Sequence, residues 1–217
     1  MVNRLSEHSY NRFFFFNGRA EIFSAEAMSS TLNRKHKLRT IFAQKTTMEG
    51  KKTNESVTVM NEIVLPNDTN GFGNLMGGRL MYWMDIAAAI TAVKHSNAPC
   101  VTVSVDNLSF KNPIKLGNVV HIEANVTRAF NTSMEVHLKV WGEDNLHRYR
   151  YESNEAYFTF VALGPNNQPR EVPPVIPETE EQKLLYDGAL RRRQLRLILG
   201  GKMKPHDANE LKALFMG

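Results

Sequence analysis

The sequence predicts an α+β fold: a curved antiparallel sheet wrapped around one long central helix, followed by a C-terminal helical extension. Three observations predict it. A single long helical pattern, about Gly77 to Ser96, lies among stretches that alternate apolar and polar residues. The stretches after it are long and joined by short connections carrying Gly, Asn and Asp, which favours antiparallel neighbours over crossovers. The helical pattern is apolar over more than one face, as a helix enclosed by a curved sheet should be.

Residues 1–47 stand apart. "YNRFFFFNGRAEIF" places a Phe cluster between arginines without a sustained helical or strand period, and "SSTLNRKHKLRTIF" is basic. The apolar run is too short for a secretory signal, and Glu7, Glu21 and Glu26 argue against a mitochondrial transit peptide, although Arg and Ser are present. The segment reads as a poorly ordered leader or as residues outside the functional protein, which would then begin at Met48. From Ser56, "SVTVMNEIVL" reads as a strand. "PNDTNGFGN" is turn chemistry that leads into the helix. Within the helix Leu80, Met81, Met84, Ala87, Ala88 and Thr91 recur at three- and four-residue steps, and Lys94 and His95 suit its C-terminal dipole.

Four strands follow: "CVTVSVDNLSF", "VVHIEANVTRAF", "SMEVHLKVWGE" and "RYRYESNEAYFTFVAL". These close a domain over 48–165. A Pro-rich, extended linker covers 166–177. The extension, 178–217, opens with a capping box, Thr179 with Gln182, runs as a helix through an arginine cluster at Arg191–Arg193 that reads as an exposed face, and stops at Gly200–Gly201. A second short helix is expected near Asp207 or Asn209. No internal repeat is present.

Composition bounds the function. No stretch is long and apolar enough for a transmembrane helix. A single cysteine, Cys100, excludes a disulfide framework and a cysteine-rich zinc site, and the histidines show no metal-ligand spacing. The formal net charge of +5 divides unevenly: residues 1–47 carry +5, 48–187 carry −5 and 188–217 carry +5. Basic ends can attract nucleic acid or anionic membrane, yet solvated charge is the simpler reading.

The chemistry concentrates between Asn70 and Asp85. Gly77 and Gly78 sit where turn becomes helix, where unpaired amides could hold a developing oxyanion and glycine lets a ligand approach the backbone. The same glycines could also be no more than a tight turn. Asp85 lies among Trp83, Met84, Ile86 and three alanines, where a carboxylate loses hydration and needs a partner or a task such as activating water. Seven residues separate Gly78 from Asp85, roughly 10 Å of helix rise, so one carbonyl cannot meet both in the same chain. If both serve one reaction, Asp85 comes from a second copy, which implies a two-fold dimer with composite sites. Asn70 could polarise a carbonyl or orient a water; it could equally satisfy its own turn.

"LPNDTNGFGNLMGGRLMYWMDIAAAITAVKHS", "CVTVSVDNLSFKNPIKLGNVV", "NTSMEV", "AYFTFVAL" and "VPPVIPETEEQK" together resemble the hot-dog-fold acyl-CoA thioesterases, and more narrowly the bacterial cytosolic and mammalian brain-type acyl-CoA hydrolases. The likeness covers about 56–187. It implies a five- or six-stranded sheet around the helix, a dimer joining two sheets edge to edge, often a trimer of such dimers, and hydrolysis of acyl-CoA to free acid and CoA in the cytoplasm. It carries the family's catalytic Asn onto Asn70 and its catalytic Asp onto Asp85, from opposite units, and the glycine pair onto Gly77 and Gly78. Whether Asp85 acts as base or nucleophile stays open. Arg79, Lys94 and His95 are candidates for CoA phosphates, Thr102 and Ser104 for the pantetheine channel, Thr132 and Ser133 for the nucleotide end, each with a structural alternative. Phe110, Met81 and Met84 could line an acyl tunnel. No metal or cofactor is expected, CoA being part of substrate and product. Two rival readings are a non-catalytic acyl-CoA-binding module and an RNA- or membrane-associating protein working through its basic ends; no nucleic acid partner is expected in the main reading.

Overall fold

The computed structural model describes residues 14–16, 19–21 and 48–215, with the side chain of Asn107 left aside. The chain divides into two compact units between Thr47 and Met48. In the first, β1 (Phe14–Phe16) pairs antiparallel with β2 (Arg19–Glu21). Phe14–Phe16 is thus a strand although the sequence carries no strand period there. The reading of 1–47 as a poorly ordered leader lies otherwise outside the described residues.

In the second unit β3 (Lys51–Lys52) precedes β4 (Thr58–Ile63). Then come α1 (Gly77–Ser96), β5 (Cys100–Phe110), β6 (Val119–Ala129), β7 (Ser133–Asp144) and β8 (Tyr149–Ala162). After β9 (Val175–Ile176) the chain ends in α2 (Glu180–Leu199) and α3 (Asn209–Lys212). β4 to β8 form one antiparallel sheet in the order β4-β6-β7-β8-β5, so β4 and β5 are its edges. Helix α1 is the single long helix on its inner face.

Alternation decides which residues meet that helix. Val120, Ile122, Ala124 and Val126 of β6, Met134, Val136, Leu138 and Val140 of β7, and Ala156, Phe158 and Phe160 of β8 are all buried in one core. From α1 that core receives Leu80, Trp83, Met84, Ala87, Ala88 and Ala92. The alanines allow close approach of helix to sheet, and Thr91 Oγ1 satisfies itself on the carbonyl of Ala87. Asn97, in the left-handed region at φ 50°, ends the helix.

The segment 166–177 is more than a linker. Val172 and Val175 are buried in the core, and β9 pairs in parallel with β3. The extension belongs to the same compact unit. Its capping box forms as the sequence suggests: Thr179 Oγ1 accepts from the Gln182 amide, and the Gln182 side chain accepts from the Thr179 amide. The arginine cluster, however, is not an exposed face. Arg192 makes a two-pronged contact to the fully buried carboxylate of Glu135 on β7, at 2.7 and 3.1 Å. Arg193 lies 4.2 Å from the ring centroid of Phe130, where burial lowers its pKa. Glu135 alternates with the core residues Met134 and Val136, and α2 covers it on the other face.

Candidate active site

The loop before α1 is built around two side chains. Asp68 is buried; its carboxylate accepts from the Leu65 amide at 3.1 Å and pairs with Arg79 Nε at 2.8 Å. Its backbone carbonyl accepts from the amide of Met76, the residue that precedes the helix, at 2.8 Å. Asn70 Oδ1 accepts from the amides of Phe72 and Asn74 at 3.0 and 3.2 Å. That is the self-satisfied turn left open by the sequence, and it fixes the side chain. Only the oxygen is used, so Nδ2 has no partner among the described residues and remains a donor on an exposed residue.

The loop thereby sets the start of α1. No side chain caps it, and the amides of Gly77, Gly78 and Arg79 have no intrahelical acceptor. The two glycines differ. A Cβ on Gly77 would lie 3.1 Å from the ring of Phe110, so glycine there permits close packing of strand against helix. A Cβ on Gly78 would meet nothing within 4 Å: the space beside its Cα is open. Beside them a cavity of about 230 Å³ is lined by Asn70, Leu75, Leu80, Phe110, Ile114 and Asn154 among others. Asp85 is not among its lining residues.

Asp85 lies two turns along the helix, half-buried, and its Oδ1 accepts from Thr102 Oγ1 at 2.7 Å. Strand irregularity makes this possible. Thr102 pairs with Phe160, but Ser104 pairs with Thr159, so β5 carries one extra residue, Val103. A bulge of this kind reverses the facing of everything beyond it. Thr102 therefore faces the helix, while Ser104 and Asp106 face the opposite side, where Ser104 Oγ donates to Asp106 Oδ1 at 2.7 Å. The sequence reading treated Thr102 and Ser104 alike as channel residues because strict alternation puts them on one face. The structure separates them, and Ser104 does not border the same surface as Asp85. No sequence signal marks the bulge.

The remaining candidates are tied down. Arg79 is paired with Asp68, though its side chain keeps 38% exposure. Lys94 Nζ donates to the Val57 carbonyl and Thr58 Oγ1 at 3.0 and 3.2 Å. His95 is fully buried, its Nε2 2.9 Å from the Pro173 carbonyl, and burial lowers its pKa. It offers neither charge nor access to a phosphate, nor a charge to the helix dipole. Thr132 and Ser133 use their carbonyls to accept from Ala162 and Phe130 at 3.0 and 2.7 Å, at the ends of the β7 hairpin connection. Met84 is core, whereas Met81 and Phe110 are exposed. Among the described residues no group of three His, Cys, Asp or Glu is placed to hold a metal ion.

A thioesterase superfamily model matches residues 72–147. The chain is 40% identical over 138 residues to YkhA of Bacillus subtilis (strain 168), named an uncharacterized acyl-CoA thioester hydrolase, covering 64% of this chain and 80% of that one. It is 39% identical over 151 residues to acyl-coenzyme A thioesterase 11 of Mus musculus, covering 70% of this chain. The chain spans only a quarter of the length of that mouse relative. Among solved structures, an apo-hexameric acyl-CoA thioesterase superposes with a TM-score of 0.69 at 36% identity, covering 70% of this chain and 98% of that one. An acyl-CoA hydrolase from Staphylococcus aureus, in complex with butyryl coenzyme A, coenzyme A and coenzyme A disulfide, superposes with a TM-score of 0.65 at 38% identity, covering 70% and 94%. That hydrolase has also been solved with alanine in place of an asparagine, an aspartate and a threonine, spaced fifteen and seventeen residues apart. By fold and by sequence, this chain belongs to the hot-dog-fold acyl-CoA thioesterases of the thioesterase superfamily.

Proposed function

We propose that the protein hydrolyses acyl-CoA to a free carboxylic acid and CoA, at sites shared between two copies of the chain. The observation that carries this reading is the hydrogen bond from Thr102 to Asp85. Asn70, Asp85 and Thr102 are spaced fifteen and seventeen residues apart, as are the three residues replaced in the Staphylococcus aureus hydrolase. The bond leaves one carboxylate oxygen of Asp85 for a water.

The thioester carbonyl lies at the first amides of α1, where the open space beside Gly78 gives room and the helix dipole favours developing negative charge. Asn70 Nδ2 donates to the same carbonyl. Asp85 of the facing copy takes a proton from water as its oxygen attacks the thioester carbon; the tetrahedral oxyanion then collapses, the C–S bond breaks, and CoA leaves as thiolate and is protonated. No oxidation state changes in these steps, and the reading assigns no metal or cofactor to them. Arg79 keeps enough exposure to meet a CoA phosphate; Lys94 and Thr132 are weaker candidates.

Two features support a composite site. Asp85 of the same chain does not line the cavity beside Asn70. The edge strand β5 exposes Val101, Val103 and Val105, an apolar edge of the kind that proteins cover by pairing. We take the assembly to be a dimer, and a trimer of dimers by analogy with the hexameric relative, in the cytoplasm; among the described residues no helix is long and apolar enough to cross a membrane.

Asp85→Ala should lower kcat by about 10²–10⁴-fold while CoA still binds. Steady-state rates on acetyl-, butyryl-, palmitoyl- and aromatic acyl-CoAs test this and define the acyl preference. A variant as fast as wild type on all of them removes Asp85 from the mechanism; a wild type inactive on all of them favours a binding module.

A further inference from the structure

We propose that Arg196 is a positioning residue for the active site: from the C-terminal helix it fixes, through Asp106, the strand segment that aims Thr102 at Asp85. This rests on the role given above to Asp85 and Thr102.

Three observations on the outer face of the sheet lead there. First, β5 is irregular twice. One extra residue falls between Thr102 and Ser104, and a second irregularity falls between Asp106 and Ser109. Ser104 to Asp106 is therefore a short regular segment with a loosened ladder at each end, on an edge strand of the sheet. Within one chain its only ladder is the one with β8. Second, Asp106 is the one acid of that segment, and both its oxygens are occupied. Oδ1 accepts from Ser104 Oγ at 2.7 Å, and Oδ2 accepts from Arg196 Nη1 at 2.6 Å. Both partners of the ion pair are about four-fifths buried, so solvent screens it less than a surface pair. Third, α2 is itself anchored independently of Arg196, by Arg192 on Glu135 and by Arg128 Nη1 on the Tyr186 carbonyl. The helix is a fixed post, and Arg196 is its contact with β5.

The geometry then forms one line. Arg196 holds Asp106, Asp106 holds Ser104, and Ser104 bounds the bulge whose other side is Thr102. The facing of Thr102 depends on that bulge being held in register: a slip of one residue would turn the hydroxyl from Asp85 to the opposite face. None of the outer residues touches substrate. Their effect passes through the orientation of the Asp85 carboxylate.

The test is a kinetic double-variant cycle on the full chain, read as kcat and KM on the best acyl-CoA substrate, with Arg196→Ala, Thr102→Ala and the pair. Lys183→Ala removes an exposed ion pair on the same helix and serves as the control that leaves activity unchanged. Arg196→Ala should lower kcat about tenfold with KM within twofold, because misplacement of a reacting group is felt in the transition state. The pair should be no slower than the slower single variant, because both act through one contact. Arg196→Lys should recover part of the loss. Where Arg196→Ala fails to fold, Asp106→Asn is read in the same way. The inference is overturned if Thr102→Ala is slow while Arg196→Ala matches Lys183→Ala, or if the two losses multiply in the pair. If Thr102→Ala is as fast as wild type, it is the site reading itself that fails.

Discussion

The two faces of the sheet are buried by different physics. On the inner face Val120, Ile122, Ala124 and Val126 of β6 and Met134, Val136, Leu138 and Val140 of β7 are all apolar, and α1 answers with Leu80, Trp83, Met84 and three alanines. The directional groups there are few: the self-bonded Thr91, Asn154, whose amide donates to the Ser109 carbonyl at 2.6 Å, and, at the margin, Asp85 with Thr102. On the outer face β7 turns Glu135 and His137, and β8 turns Glu155 and Tyr157, toward α2. Those groups are joined by contacts with fixed geometry. Arg192 meets Glu135 and stacks over Tyr157 at 3.9 Å, His137 Nε2 lies 2.7 Å from Glu155, and Lys139 meets Glu181 at 2.5 Å. An apolar face tolerates small shifts of its helix. A face of paired charges specifies one seating, because each misplaced group is left buried and unpaired.

The comparison is broken most directly by Arg192→Ala. It leaves the Glu135 carboxylate buried without its cation, and should cost about 3–5 kcal/mol in denaturant unfolding. A loss under about 1 kcal/mol, the size expected of a solvent-exposed pair, would mean that the outer face is a wet surface rather than a second core. Leu138→Ala on the inner face of the same strand should cost about 2–4 kcal/mol through lost burial and a residual cavity, with no change in the pH dependence of stability.

A smaller effect separates the faces by pH. Burial holds His137 below its ordinary value of 6.5, against the opposing pull of its hydrogen bond to the Glu155 carboxylate. Above 6.5 the ring is neutral whether the chain is folded or not, and its contribution is fully present. As pH falls below 6.5 the unfolded chain takes up the proton first, so stability declines until the folded ring is protonated in turn. His95, buried against Pro173, adds in the same direction. The unfolding midpoint should fall between pH 7 and pH 5, and His137→Gln should flatten that slope. An unchanged slope in the variant would show that His137 is not the group that titrates.

What the sequence made legible follows from the same contrast. The helix boundaries, the five-stranded sheet and its antiparallel connections were readable because inner-face burial writes a period into the residue types. Asn70, Asp85 and the glycine pair stood out as candidates because a carboxylate and turn residues contrast with an apolar helix. The outer face was not readable. Glu135 and His137 alternate with Val136 and Leu138 as solvent-facing residues do, and only the docking of α2 makes them buried. For the same reason Arg192 looked exposed. His95 looked like a helix-end charge, because nothing local announces that 166–177 returns to cover it. The bulge at Val103, on which the distinct roles of Thr102 and Ser104 depend, has no residue signature: valine sits comfortably in a regular strand.

The two-residue parallel pairing of β3 with β9 makes a buckle. Lys51 and Lys52 run beside Val175 and Ile176, so the first ordered stretch of this unit clasps the segment that leads into the final helices. A protease that nicks just after Lys52, or a natural variant that starts there, would unfasten the far end as well. The cover over His95 would lift, and α2 would lose the lead-in that sets its approach to the sheet. Damage at one terminus of this unit would therefore first be felt at the other.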